Sequence, residues 1–151
     1  MLEEASVAVL VVVGTVGIHA AGTTLLLQYL LRSVSRIKDH MGLVHGLILT
    51  ASTVLFLLFL HVCEVVLWAL TYSLLPDLGA LRAFPDALYF SYITFTTLGY
   101  GDITIVGKWR MLSGVEAMNG ILLFGWSTAM LFGLIQQLWR IGHSLHGEKG
   151  R

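Results

Sequence analysis

The sequence predicts an all-α membrane protein with three transmembrane helices and one re-entrant helix-and-loop. Three observations carry that expectation. Three apolar runs, residues 5–31, 42–75 and 111–139, are each long enough to span a bilayer, which takes about 20 residues of helix. The 151 residues are 56% hydrophobic and 12% charged, with mean hydropathy +0.81, whereas soluble domains carry about 25% charged residues. Finally, a short polar stretch, "TFTTLGYGDI" (Thr94 to Ile103), sits between the second and third runs. Open backbone inside a bilayer is tolerated only where it lines a polar cavity or is buried in protein.

Each element follows from local chemistry. The first run opens with Glu3 and Glu4 and continues uncharged from Ala5 to Leu31. It lacks the basic start and short apolar core of a signal peptide, so it reads as a retained span. The second is interrupted by His45, His61 and Glu64, and the third by Glu116 alone. In the intervening region "FPDALYFSYITFTT" predicts a short helix over 86–97, with Asp86 as N-cap after Pro85. At about 1.5 Å per residue, such a helix reaches only half way through a bilayer. Residues 97–102 then return the chain. The expected organisation is an extra helix and loop (1–41), a second unit (42–140) and a short tail (141–151).

Nine basic and nine acidic residues balance to zero net charge, which gives no basic surface for nucleic acid. The one cysteine, Cys63, forms no intrachain disulfide. The run "GDITIVGKW" fails the nucleotide-loop pattern, having five residues between its glycines and Trp109 after its lysine. Arg32, Arg36, Lys38, Arg140, Lys149 and Arg151 fall on one side of three spans, against Arg82, Lys108 and Arg110 on the other. The positive-inside bias therefore puts the N-terminus outside and the C-terminus in the cytoplasm, in a multi-pass plasma (inner) membrane protein. Trp68, Tyr72 and Trp109 are expected at the outer interface, and Trp139 at the inner one.

Glycines in "TTLGYGD" permit positive φ. Alternating left- and right-handed backbone over Thr97, Leu98, Gly99, Tyr100 and Gly101 would turn successive carbonyls to one side. Four such strands would make rings of oxygens able to replace the water shell of a potassium ion. The stretch resembles the selectivity-filter signature of the potassium-channel family, usually written T-V-G-Y-G-D. The likeness runs from Ala87 to about Phe132, through "WRMLSGVEAMNGILLFGWSTAMLFG". It implies a pore helix, a filter with K+ at Thr97, Leu98, Gly99 and Tyr100, Gly101 at the outer mouth, and an inner helix with Gly120 at the gating hinge. It also implies a passive, potassium-selective channel with no cofactor beyond its permeant ion. One pore loop per chain requires a homotetramer. Helix two matches the outer helix, and helix one is additional. Leu98 replaces the usual valine or isoleucine. Ile93 stands where some bacterial channels carry a carboxylate, so Asp102 needs another partner, for which the Tyr89 hydroxyl is the candidate.

Ionisable residues inside a membrane are functional candidates. His61 and Glu64, three apart, share a helix face. With Glu116 they are expected to face the pore helix and support the filter through hydrogen bonds. Two other readings remain: a proton sensor at His61 and Glu64, and an intramembrane metal-dependent enzyme built on His61, Glu64 and Glu116. His19, alone in helix one, reads as a packed, hydrogen-bonded residue. Asn119 faces either the cavity or a neighbouring helix. Helix one has no arginine ladder, so no voltage sensor is expected. A less selective cation channel is the nearest rival, because filter flexibility alters selectivity with the motif intact.

Overall fold

The computed structural model describes residues 2–37 and 43–148. Lys38, Lys149, Arg151 and the expected boundary at 41–42 lie outside the described residues. The described chain is all-α, with no strand among the described residues. Helix α1 spans Leu2–Ile37, α2 Leu43–Leu74, α3 Phe84–Phe95 and α4 Arg110–Glu148. Stretches Leu2–Val34, Val44–Leu74 and Gly107–Ile141 are long and apolar enough to cross a membrane. The third helix runs past the expected end at 139, so residues 141–148 continue it rather than form a separate tail.

The short helix begins two residues earlier than expected. Its N-cap is Ala83, which offers no side-chain cap, and Pro85 lies in the first turn, where its missing N–H has no consequence. Asp86 also sits in the first turn, where its charge still favours the helix dipole. Phe95 ends α3, two residues before Thr97.

Two apolar clusters divide the bundle along its length. One joins Ala8 and Val11 of α1, Val65 to Tyr72 of α2, the α3 residues Ala87 and Phe90, and Leu112 and Leu123 of α4. The other joins Leu26, Leu30 and Val34 with Leu49, Leu57, Leu60 and Leu134. Trp68, Tyr72 and Trp109 are almost wholly buried in the first cluster, which corrects the expectation of an outer aromatic belt. The Trp109 indole N–H donates to the Pro76 carbonyl at 3.1 Å, so it fastens a connection inside the protein. Lys108 Nζ lies 3.5 Å from Glu3 Oε2. The start of α1, the end of α2 and the start of α4 thus meet at one end of the bundle.

Candidate functional site

The loop after α3 is set by how that helix stops. Thr96 closes it in αR geometry, and Thr97 follows at φ 60°. Left-handed residues commonly end helices there, usually as glycine. The Thr97 N–H donates to the Thr94 carbonyl at 2.9 Å, and the Gly99 N–H reaches back to the Ile93 carbonyl at 3.0 Å. These bonds fix the departing strand to the end of the helix. Positive φ recurs at Gly99 (54°) and Gly101 (79°) but not at Leu98 or Tyr100. The alternation expected of the loop is therefore present. That its first member is a β-branched threonine was not legible in the sequence.

Leu98 and Tyr100 are 56% and 68% exposed in the single chain. Beside them an open cavity of about 720 Å³ lies between the loop and the first turns of α4, lined by Thr97, Gly99 and Gly101 on one side and Ser113, Gly114 and Ala117 on the other. The Tyr89 hydroxyl donates to Asp102 Oδ2 at 2.7 Å, the partner expected for that aspartate. This bond holds the Tyr89 phenol above its ordinary range, because ionising the phenol would remove the donor and set two negative charges side by side.

Gly120 stands against the end of α3. A Cβ there would lie 2.0 Å from the Phe95 carbonyl oxygen, so its small size is required by close helix contact. The buried Glu116 accepts from the Tyr72 hydroxyl at 2.8 Å through Oε2. Among the described residues its Oε1, with Ser91 Oγ of α3 and Trp68 Nε1 of α2, is buried without a hydrogen-bond partner. Asn119 donates to Thr15 Oγ1 on α1 at 2.7 Å, which resolves its two readings in favour of the neighbouring helix.

Glu64 departs from expectation. Its partners are not on α3: Oε1 lies 2.7 Å from His19 Nδ1 and Oε2 lies 2.8 Å from His61 Nδ1. The two imidazoles turn their other nitrogens toward Ser127 Oγ, at 3.0 Å from His61 and 3.4 Å from His19. Among these ring residues His61 approaches the end of α3, with its ring centroid 6.1 Å from that of Phe95. Any support Glu64 gives the loop is thus indirect. Ser127 was missed because a lone serine in an apolar helix carries no signal.

The metal site imagined on His61, Glu64 and Glu116 is not assembled, since Glu116 pairs with Tyr72 instead. His19, His61 and Glu64 do cluster, with one donor atom from each within 4.8 Å of the others, and the carboxylate–imidazole contacts, 2.7 and 2.8 Å, have hydrogen-bond length.

A family model described as Ion channel matches residues 46–137, more than half of the chain. The chain belongs to the ion channel family. The match covers α2, α3, the loop and most of α4, and it leaves α1 outside. Searches among curated proteins and among solved structures return no significant match. The channel's membership points to ion transport rather than bond chemistry. Its three apolar helices make it a membrane protein.

Proposed function

We propose that this ion channel conducts potassium selectively and passively, as a homotetramer whose four Thr97–Gly101 loops form one filter. The observation that carries this reading is the alternation of positive φ at Thr97, Gly99 and Gly101 within the T-x-G-Y-G-D pattern. Alternating handedness turns successive carbonyls toward one side of the strand, so four chains would surround an ion with stacked rings of oxygen. The Thr97 hydroxyl adds a ring at the inner end. Helix α3 would aim its partially negative C-terminal end at the space below. Tyr89 and Asp102 hold the outer end of each loop. The exposed Leu98 and Tyr100 and the adjoining cavity suit a neighbouring chain packed around a fourfold axis. On this reading the filter end faces outside the plasma membrane, and both the α1–α2 connection and the C-terminus face the cytoplasm.

Reversal potentials under bi-ionic conditions test the proposal, with potassium on one side of a planar bilayer and sodium on the other. A large reversal potential, of the sign that opposes potassium leaving its side, is expected. A reversal near zero would favour the less selective cation channel.

A further inference from the structure

Helix α1 lies outside the matched pore segment, yet it is tied to that segment by a closed ring of side chains. The ring runs from His19 through Glu64 and His61 to Ser127 and back, with links of 2.7, 2.8, 3.0 and 3.4 Å. All four residues are buried. They sit between the two apolar clusters: His19 falls between Val11 and Leu26 on α1, and Ser127 between Leu123 and Leu134 on α4.

Four links need four hydrogens, one per link, because every link joins two atoms that each carry lone pairs. A carboxylate brings none, each neutral imidazole brings one and the serine hydroxyl brings one. That makes three. The fourth hydrogen is a bound proton, and it closes the ring and cancels the charge together. Its location does not change the count. A carboxylate beside one imidazolium and a carboxylic acid beside two neutral rings both have four hydrogens and zero net charge. With three hydrogens the ring is anionic and one link is open, with lone pair facing lone pair. Burial between apolar layers in a membrane disfavours that anionic form.

Among the described residues no other charged side chain bonds to the ring. The hydrogen-bond partners of the Glu64 carboxylate are the two imidazoles. From α4 the ring meets Trp126, edge-on to His19 at 5.3 Å, and Phe124, 4.4 Å from His61. From α3 it meets Phe95, while Asp86, Tyr89 and Tyr92 of that helix are exposed. On α1, Thr23 bonds its own helix and Thr15 bonds Asn119. On α2, Cys63 is a free, partly buried thiol. Glu116 is held by Tyr72, eleven residues before Ser127, or about 16 Å along the helix axis.

We propose that the His19–Glu64–His61–Ser127 ring is a proton-binding site that clamps helix α1 onto the pore, and that loss of its one proton at raised pH opens the clamp. Through Phe95 and Phe124 the ring adjoins the end of the pore helix, two residues from Thr97. On this proposal the closed ring carries one proton that the unfolded chain, whose histidines release theirs near pH 6.5, does not hold above that range. Below that range the unfolded chain takes up two protons on its histidines and the ring keeps one. Stability therefore peaks near neutrality and falls on the alkaline side by up to tenfold in the folding equilibrium per pH unit per chain.

The test is thermal unfolding of the full-length assembly in detergent between pH 6 and 9, for wild type and Glu64→Gln. The glutamine amide donates one N–H into the ring and accepts at its oxygen, so four hydrogens are present at every pH with none to lose. A wild-type Tm that falls above pH 7, against a flat Tm in Glu64→Gln, is the expected result. Equal slopes in the two proteins would overturn the proposal. Should Glu64→Gln fail to assemble, the ¹⁵N shifts of the histidine ring nitrogens together with the ¹³C shift of the Glu64 carboxyl in wild type decide the matter over the same series. A one-proton change among His19, His61 and Glu64 above pH 7 supports the ring. Two neutral rings beside an ionised carboxylate throughout, from pH 7 upward, refute it. Neither readout involves ion flux, so the result is independent of the potassium reading.

Discussion

Thr97 adopts a left-handed conformation that a β-branched residue resists, while Gly99 adopts the same conformation freely. Gly99→Ala finds open space in the single chain, so its expected penalty comes from the backbone, about 1–2 kcal/mol per chain. Loss of potassium selectivity or of conduction is expected, and unchanged permeability ratios in that variant would contradict the filter assignment. At Tyr89 the hydrogen bond to Asp102 raises the phenol, so its stabilising effect is complete below the ordinary phenol range near pH 10. It fades only as pH climbs through the raised value. Absorbance titration of the tyrosines is expected to show one late group that moves back toward the ordinary range in Asp102→Asn; an unchanged curve would remove the pairing. Glu116→Leu strands the buried Tyr72 hydroxyl, at about 1–3 kcal/mol, and Glu116→Gln, which still accepts that bond, is expected to be mild. Thermal unfolding of both variants checks the order. Of these residues, Tyr89 and Asp102 were legible because the departure at Ile93 left an acid in need of a donor. The positive φ of Thr97 was not, because threonine is a poor residue for it.

Among the elements, α3 and α4 are coupled where Gly120 meets the Phe95 carbonyl. Gly120→Ala brings a methyl against backbone rather than against a yielding side chain. It is expected to separate the helices and lower the stability of the proposed tetramer, whatever it does to gating. Assembly on native gels at rising temperature measures this, and a wild-type profile would remove the packing role. Helix existence was legible from apolar length alone. Helix facing was not, because helices apolar all round carry no amphipathic stripe to show which side meets a neighbour. His61 and Glu64 share a face by spacing, so their pairing could be read locally. His19 lies 45 residues before Glu64, and only the rotation of α1 against α2 brings the two together. The start of α3 was misplaced for a related reason: Pro85 marks a helix start, but the residue that caps it, Ala83, has no side-chain signal.

At the scale of the whole molecule, one chain carries one T-x-G-Y-G-D loop, and the proposed carbonyl cage needs four. Crosslinking or native mass in detergent is expected to end at four copies, whereas a monomer that still conducts would exclude the fourfold reading. The family match leaves α1 outside, and polar contacts join that helix to the matched segment: Lys108 to Glu3, Asn119 to Thr15, and His19 to both Glu64 and Ser127. Such cross-helix bonds are absent from any local pattern, which is why the role of α1 emerged only from the fold. The central claim is that these chains alone form a potassium-selective path. Purified protein in liposomes, loaded with potassium and assayed for flux against a sodium control, measures that directly. Rapid potassium flux with little sodium flux, blocked by barium, is the expected result. Equal flux of both ions, or none of either from a verified tetramer, would contradict it.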